Sequence, residues 1–400
     1  MSKRIKSNKN KQNEASSSSS ASSSSCTVGD IQQIFDEHCS CYGTTYHPVN
    51  FPPVPKIVSF GDIHGDYALA IEMFESANLI DDDYNWIGED TYVVQVGDQV
   101  DRCRPIPGGP VCKEPEATKN DEDSDVRIMK LFNKLDRQAQ EVGGRVISLF
   151  GNHELMNSMG QLQYVSYAGL KGFENYEDPQ TNEIIADGME ARAHAFAPGN
   201  EYGKMLGCTR YPAVIIGANI FVHAGIVDSL IDNVDDLNNI EDLEKINIKM
   251  RMWLLNLMDQ ACIDHIAPKN PDLNPDSMFW TRALGKIKPG VPLDSPECMD
   301  NLSKALKIFH VMGKGKKVRM IIGHTPQSFM YSDDINSTCS NRIWRVDNGS
   351  SKAFDSFDPK MLESSERADS RRPQYLLILN DSEYYVCDED GCKRESELQP

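Results

Sequence analysis

Gly61-Asp62-Ile63-His64-Gly65-Asp66 follows directly on the apolar, β-rich run at residues 55–60, and this junction decides the fold. A short buried strand that ends on a glycine and a polar cluster delivers side chains to one edge of a sheet. Beyond it, Ala70, Met73, Phe74 and Ala77 recur at helical spacing, with Asp66 available as the cap. The arrangement returns twice. Residues 91–96 run into Gly97-Asp98-Gln99-Val100-Asp101-Arg102, and residues 145–150 into Gly151-Asn152-His153-Glu154. Between these two lies the helical stripe Ile128, Leu131, Phe132, Leu135, Ala139 and Val142.

Residues 213–216 and 219–222 read as strands joined at Gly217, with His223 behind them, and the strand at 318–322 is followed by Gly323-His324-Thr325. Strands at 342–346, 375–379 and 383–386 can complete the sheets. A long helical pattern covers 240–266, and 360–372 reads as a polar loop. Strands alternating with helices predict an α/β fold. Ligands of open α/β sheets collect beyond the carboxyl ends of strands. Asp62, His64, Asp98, Asn152, His223 and His324 all fall at such ends. Carboxylates and imidazoles together suit zinc, iron or manganese.

Singly, each cluster is weak. Asp-x-His is more often a turn with a satisfied histidine, His223 after Phe-Val is usually a core residue, and Asn152 is as good a helix cap as a ligand. Their joint occurrence, in order and at strand ends, carries the weight: of nine histidines in the chain, four lie in these motifs.

The bulk numbers set outer limits. The 400 residues carry a net charge of −19, which repels nucleic acid backbones and anionic lipid, so neither is an expected partner. A phosphorylated substrate stays open, because cations in a site invert the local field. The longest apolar run, 213–227, contains Asn219 and His223 and is too short to span a bilayer. Residues 1–27, rich in Lys, Asn and Ser, are expected to be disordered, with 28–53 an extension and 54–400 the catalytic domain, its motifs within 58–350. The basic start (Lys3, Arg4, Lys6, Lys9, Lys11) is either a nuclear address or a solvated tail. With no signal peptide, and eleven scattered cysteines, the chain reads as a reduced cytoplasmic protein.

Taken together, Gly-Asp-Ile-His-Gly-Asp, Gly-Asp-Gln-Val-Asp-Arg, Gly-Asn-His-Glu, Val-His-Ala-Gly and Gly-His-Thr resemble the ordered signature of PPP-type phosphoprotein phosphatases in the calcineurin-like metallophosphoesterase superfamily. Gly151 to Asn157, Arg192 with Phe196-Ala197-Pro198-Gly199, and Trp280-Thr281-Arg282 narrow the resemblance to the Shewanella-like protein phosphatases. It implies a central β-sandwich of mixed sheets flanked by helices. It further implies a binuclear centre of Mn, Fe or Zn, with Asp62 and His64 on the first ion, Asp98 bridging, and Asn152, His223 and His324 on the second. A hydroxide between the ions would attack a phosphate monoester on a protein directly. His153 would be the general acid, oriented by Asp101, and Arg102 and Arg282 would clamp the phosphoryl oxygens. Arg192 is a weaker clamp candidate.

Two departures stand out. Cys103 replaces the glycine that usually follows Asp-Arg, and Phe150 stands where the serine/threonine branch has an arginine before Gly-Asn-His-Glu. Cys39-Ser40-Cys41, Cys387 and Cys392 are poorly spaced for structural zinc and read as unpaired thiols. The motifs alone also admit a dinucleoside-polyphosphate hydrolase or other phosphodiesterase, and, more remotely, a non-catalytic binding protein. Regulatory partners are not legible.

Overall fold

A computed structural model describes residues 29–397 except 234–236, 238, 311–316, 332–333 and 365. The expected tail at 1–27, with its basic start, lies outside the described residues. The first strands are β1 (Asn50–Phe51), β2 (Lys56–Phe60), β3 (Tyr92–Gln95), β4 (Arg145–Leu149), β5 (Tyr176–Glu177), β6 (Ile184–Ile185), β7 (Arg210–Tyr211) and β8 (Ala213–Ile216). They continue with β9 (Asn219–Val222), β10 (Arg319–Ile322), β11 (Asn336–Thr338), β12 (Ile343–Arg345), β13 (Tyr375–Leu379), β14 (Glu383–Asp388) and β15 (Gly391–Arg394).

One sheet has the order β15-β14-β13-β2-β3-β4-β7 and the other β1-β8-β9-β10-β12-β11. β2, β3, β4 and β7 run parallel, as do β9, β10 and β12, while β13 to β15 are antiparallel. Side chains alternate across each sheet. Val94, Ile147 and Leu149 of the first sheet share one core with Ile215, Phe221 and Ile321 of the second. Val58, Val93 and Val146 face the other way and pack against Leu69 and Phe74 of α2 (Tyr67–Ser76) and Ile128 and Phe132 of α3 (Asp125–Glu141). The result is the expected sandwich of mixed sheets with helices outside. Asp66 caps α2, its side chain accepting from Leu69 N at 3.2 Å.

The stretch before the first motif is tied into this sandwich. β1 adds to the edge of the second sheet through β8, and the helix Ile31–Cys39 is joined to the body by the Cys39–Cys208 disulfide.

Three expectations are corrected. The helix expected over 240–266 spans Ile240–Leu254; Asn256 there takes a left-handed φ of 59°, the conformation that commonly ends helices. The expected polar loop at 360–372 contains the helix Pro359–Ser364 and the turn Asp369–Arg371. Its Arg371 is buried and donates to Asp355 Oδ1 at 2.9 Å and Asp358 Oδ2 at 2.7 Å, so the polar residues satisfy one another instead of water.

Third, Cys39, Cys387 and Cys392 are not unpaired thiols. Cys39–Cys208, Cys103–Cys112, Cys298–Cys339 and Cys387–Cys392 are disulfides, and Cys41 is free. For Cys39–Cys208 and Cys298–Cys339, sequence spacing could not pair residues that only the fold brings together. The Cys39–Cys208 bridge spans 169 residues, and closing so long a loop removes about 5 kcal/mol of unfolded-state entropy in the chain-entropy model. Reduction under native conditions is therefore expected to lower Tm by several degrees, read by calorimetry with thiol release counted in parallel. An unchanged Tm after full thiol release would count against a stabilising role. No helix among the described residues is long and apolar enough to cross a membrane.

Candidate metal centre and active site

The motifs leave the carboxyl ends of β2, β3, β4, β9 and β10 and converge at one edge of the sandwich. Backbone bonds hold the loops together: Ile63 and His64 N–H both donate to Asp98 O, at 3.0 and 2.9 Å, and Gly323 N–H donates to His223 O at 2.8 Å. Two glycines permit the approach. A Cβ on Gly151 would lie 2.0 Å from Asp98 Oδ1, and one on Gly323 would lie 2.2 Å from Asp62 Oδ1. Four site residues also adopt left-handed backbone, His64 (48°), Asp98 (56°), Asp101 (72°) and His324 (66°). Non-glycine residues adopt this region uncommonly, at turns and helix ends as well as at functional sites.

The electrostatic content of the pocket follows from the histidine tautomers. His223 Nδ1 faces Val96 O at 2.9 Å, and His324 Nε2 faces Trp280 O at 3.1 Å. A carbonyl only accepts, so these nitrogens carry the protons and the opposite ones present lone pairs. Yet His223 Nε2 lies 3.2 Å from His324 Nδ1, 3.0 Å from Asn152 Oδ1 and 3.4 Å from Asp98 Oδ2. Asn152 is turned so that its Nδ2 faces Met156 Sδ, leaving its oxygen inward. With His223 neutral, four acceptors meet with no donor among them; burial favours that form, but without a cation Asp98 outweighs it and draws a proton onto His223.

A second such convergence lies beside it. His64 Nδ1 faces Val100 O at 3.3 Å, and its Nε2 is 3.8 Å from Asp62 Oδ2 and 3.7 Å from Asp98 Oδ2. Asp62 Oδ1 is buried without a hydrogen-bond partner. Acceptor-only clusters of buried oxygen and nitrogen are what a cation requires, so the residues present fit a metal pair with Asp98 common to both.

The charges agree. Burial pushes Asp98 up, but His223, His153 and His64 outweigh it and hold the carboxylate well below the usual range. Burial, then Asp347 and Asp98, hold Asp62 well above it: two buried carboxylates without cations cannot both ionise cheaply. Burial lowers His64, with Arg104 acting next, and it lowers His324, with Arg282 next; imidazoles kept neutral are competent ligands.

His153 stands at the edge of the first cluster. Its Nδ1 is 2.8 Å from Asp101 Oδ2, and its Nε2 is 3.9 Å from Asp98 Oδ2. Asp101 is fully buried, and its other oxygen accepts from Asn157 Nδ2 at 2.9 Å and Arg192 Nη2 at 3.4 Å. Glu154, unassigned from sequence, accepts from the backbone N–H of Asp98, Gln99 and Gly151 and so fixes one motif loop against another.

The arginines depart from expectation. Arg282 is anchored through Nη1 on His324 O and sits exposed at the rim. Arg102 is instead buried, with Nη1 donating to Gly65 O at 2.8 Å and Glu122 Oε1 at 2.6 Å; the carboxylate of the acidic loop draws it aside. Arg192 is likewise turned inward. It lies fully buried behind Asp101, with Asn157, Gly169 O and Asp125 as its other partners. Cys103, the departure from the usual glycine, is disulfide-bonded to Cys112.

Sequence reading also missed Asp347. It follows β12, accepts from Gly349 N–H at 2.9 Å, and burial pushes it up to about 6, against the pull of Gly349 N–H and Arg282. Val346-Asp347-Asn348-Gly349 also puts polar residues just past a strand, but its glycine follows them instead of preceding them, and no histidine draws notice.

Comparison with known proteins bears on the family and the fold. The family model for calcineurin-like phosphoesterases matches residues 55–327. An uncharacterised protein of Acanthamoeba polyphaga mimivirus is 34% identical over 239 residues, 58% of this chain and 91% of that protein. Shewanella-like protein phosphatase 2 of Arabidopsis thaliana is 27% identical over 343 residues, 78% of this chain and 76% of that protein. The fold is also that of a solved cold-active protein-tyrosine phosphatase from a psychrophilic Shewanella species, with a TM-score of 0.58 at 18% identity over 87% of this chain and 82% of that one. The chain belongs to the calcineurin-like phosphoesterase family.

Proposed function

We propose that this protein is a phosphoprotein phosphatase that hydrolyses phosphate monoesters with two metal ions of the Mn, Fe or Zn class. The observation that carries the reading is Asp98 Oδ2 facing the imidazoles of both acceptor clusters, with the His153–Asp101 pair alongside. Asp62, His64 and Asp98 would hold one ion, and Asp98, Asn152, His223 and His324 the other. Bound there, the pair supplies Lewis-acid polarisation of the phosphoryl oxygens and acidified water. The rest falls to side chains. Val96, Val100 and Trp280 carbonyls fix the imidazole tautomers. Asp101 orients His153, whose Nε2 is the proton donor to the leaving oxygen. Arg282, rooted on His324 O, is placed to hold a phosphoryl oxygen at the rim.

The substrate class is supported by the relative named a Shewanella-like protein phosphatase. The test is a side-by-side assay of phosphoserine, phosphothreonine and phosphotyrosine peptides against dinucleoside polyphosphates, on protein reconstituted with each metal in turn. Phosphopeptide turnover that chelation abolishes and Mn²⁺ restores is expected. Preferred turnover of the dinucleotide would end the protein-phosphatase reading. The closed disulfides support an oxidising compartment in place of the expected cytoplasmic or nuclear one.

A further inference from the structure

We propose that Arg104, two residues beyond the arginine the motif points to, is the guanidinium that holds the substrate's phosphoryl group; this rests on the phosphatase reading above. The first ground is position. The Arg104 guanidinium lies 4.8 Å from the Phe354 ring and 5.8 Å from the Tyr164 ring. Phe354 packs edge-on against His64, with centroids 5.4 Å apart, and Tyr164 packs against His153 at 5.1 Å. The cation is therefore held between two rings, each leaning on an imidazole of the site. It lies close enough to Asp98, Asp101 and Asp62 to feel their charge.

The second ground is an unmet bonding requirement. Arg104 Nη1 donates to Asp101 O at 3.0 Å and Cys103 O at 2.9 Å. Its Nη2 is buried and has no hydrogen-bond partner. A guanidinium fixed at one nitrogen and idle at the next, beside a cation pocket, has a charged donor left for an anion. A phosphoryl oxygen matches that nitrogen in charge and geometry.

The third ground is the loss of the alternatives. Arg102 spends Nη1 on Gly65 O and Glu122, although its buried Nε has no partner, and Phe150 replaces the arginine of the serine/threonine branch. Of the two arginines of this loop, Arg104 is the one set between rings that lean on His64 and His153. The turn that carries Arg104 is itself pinned, by the Cys103–Cys112 disulfide and by Cys103 N–H donating to Tyr164 O at 3.1 Å.

The test is calorimetric binding of inorganic phosphate to metal-loaded protein, with metal content and Tm measured for each variant. Arg104→Gln removes the charge and keeps an amide donor. It should weaken phosphate binding about 10- to 100-fold, the range for a charge-assisted hydrogen bond, with both ions retained. Arg104→Lys should recover part of that loss, and Arg102→Lys should change phosphate affinity less than about twofold, since Arg102 faces Glu122. In turnover assays the KM for phosphopeptide should rise in Arg104→Gln. Unchanged phosphate affinity in a folded, metal-loaded Arg104→Gln protein would overturn the proposal, as would a larger loss in Arg102→Lys. Phosphate affinity reports on Arg104 even if phosphopeptides prove not to be substrates, so failure of the functional reading remains distinguishable.

Discussion

Asp98→Asn is expected to leave the protein folded and to strip it of both metals and of turnover. The substitution is isosteric, and the contacts that place residue 98 survive it. Its backbone N–H still meets Glu154 Oε2 at 3.0 Å, and an amide oxygen can still accept from His153 N–H, now 3.0 Å from Oδ1. What disappears is the one negative charge common to both acceptor clusters. In its place an NH₂ group points at the lone pair of His223 Nε2, 3.4 Å away, and at that of His64 Nε2, 3.7 Å away. Without metal, the variant should stay folded but be less stable than the parent at neutral pH, because a carboxylate held well below its usual range is one whose charge the fold favours. With metal, the parent should gain stability as ligand binding demands, about 2.7 kcal/mol at a hundredfold excess over Kd, and the variant should gain little. Loss of an outer-shell partner costs ~10–100-fold in metal affinity; loss of the shared carboxylate should exceed that at both positions. Thermal melts with and without Mn²⁺, alongside metal analysis, decide the matter. A variant that keeps one ion at full occupancy would show that Asp98 is not shared.

Much of this site was legible in the sequence because its signal is local. Each ligand lies within four residues of the end of a short apolar strand, and strand ends from a parallel sheet meet at one edge whatever the loops do. The strands themselves were readable for the same reason: β8 and β9, both fully buried, are continuous apolar runs broken by Gly217. What could not be read depended on contacts distant in sequence. Whether Arg102 or Arg104 faces the pocket is decided by Glu122, twenty residues on, and by Phe354, from the far end of the chain. The pairing of Cys39 with Cys208 has no local trace. Arg192 looked like a candidate clamp because arginine beside a motif suggests phosphate; only the fold reveals that Asp101 and Asp125 enclose it.

The second large effect should come from His153→Asn, and here the diagnostic quantity is selectivity among substrates, beyond the size of the loss. A positioned general acid contributes ~10²–10⁴-fold. That benefit applies to leaving groups that need a proton, such as the alkoxide of serine. It shrinks for an activated aryl phosphate, whose leaving oxygen departs well as the anion. The surroundings of His153 suit proton donation. Its Nδ1 is engaged by Asp101 at 2.8 Å, Nε2 faces the pocket, and the residue is 7% exposed, enough to meet substrate. Its 3.9 Å separation from Asp98 Oδ2 places it beside the cluster centred on that carboxylate. It thus stands among the groups that could hold an ion with His64 and Asp98, and the acid role requires that metal content survive the substitution. Asp101→Asn should act in the same direction but more weakly, since Asn157 and Arg192 still brace the position and His153 keeps its own ring. The measurement is kcat across aryl and alkyl phosphates of graded leaving-group basicity. The variant should show a steeper dependence on that basicity than the parent, and metal analysis should find both ions still bound. A uniform loss across the series would remove the acid role from His153. Loss of an ion would recast it as a ligand, the one other function its Nε2 could perform where it stands.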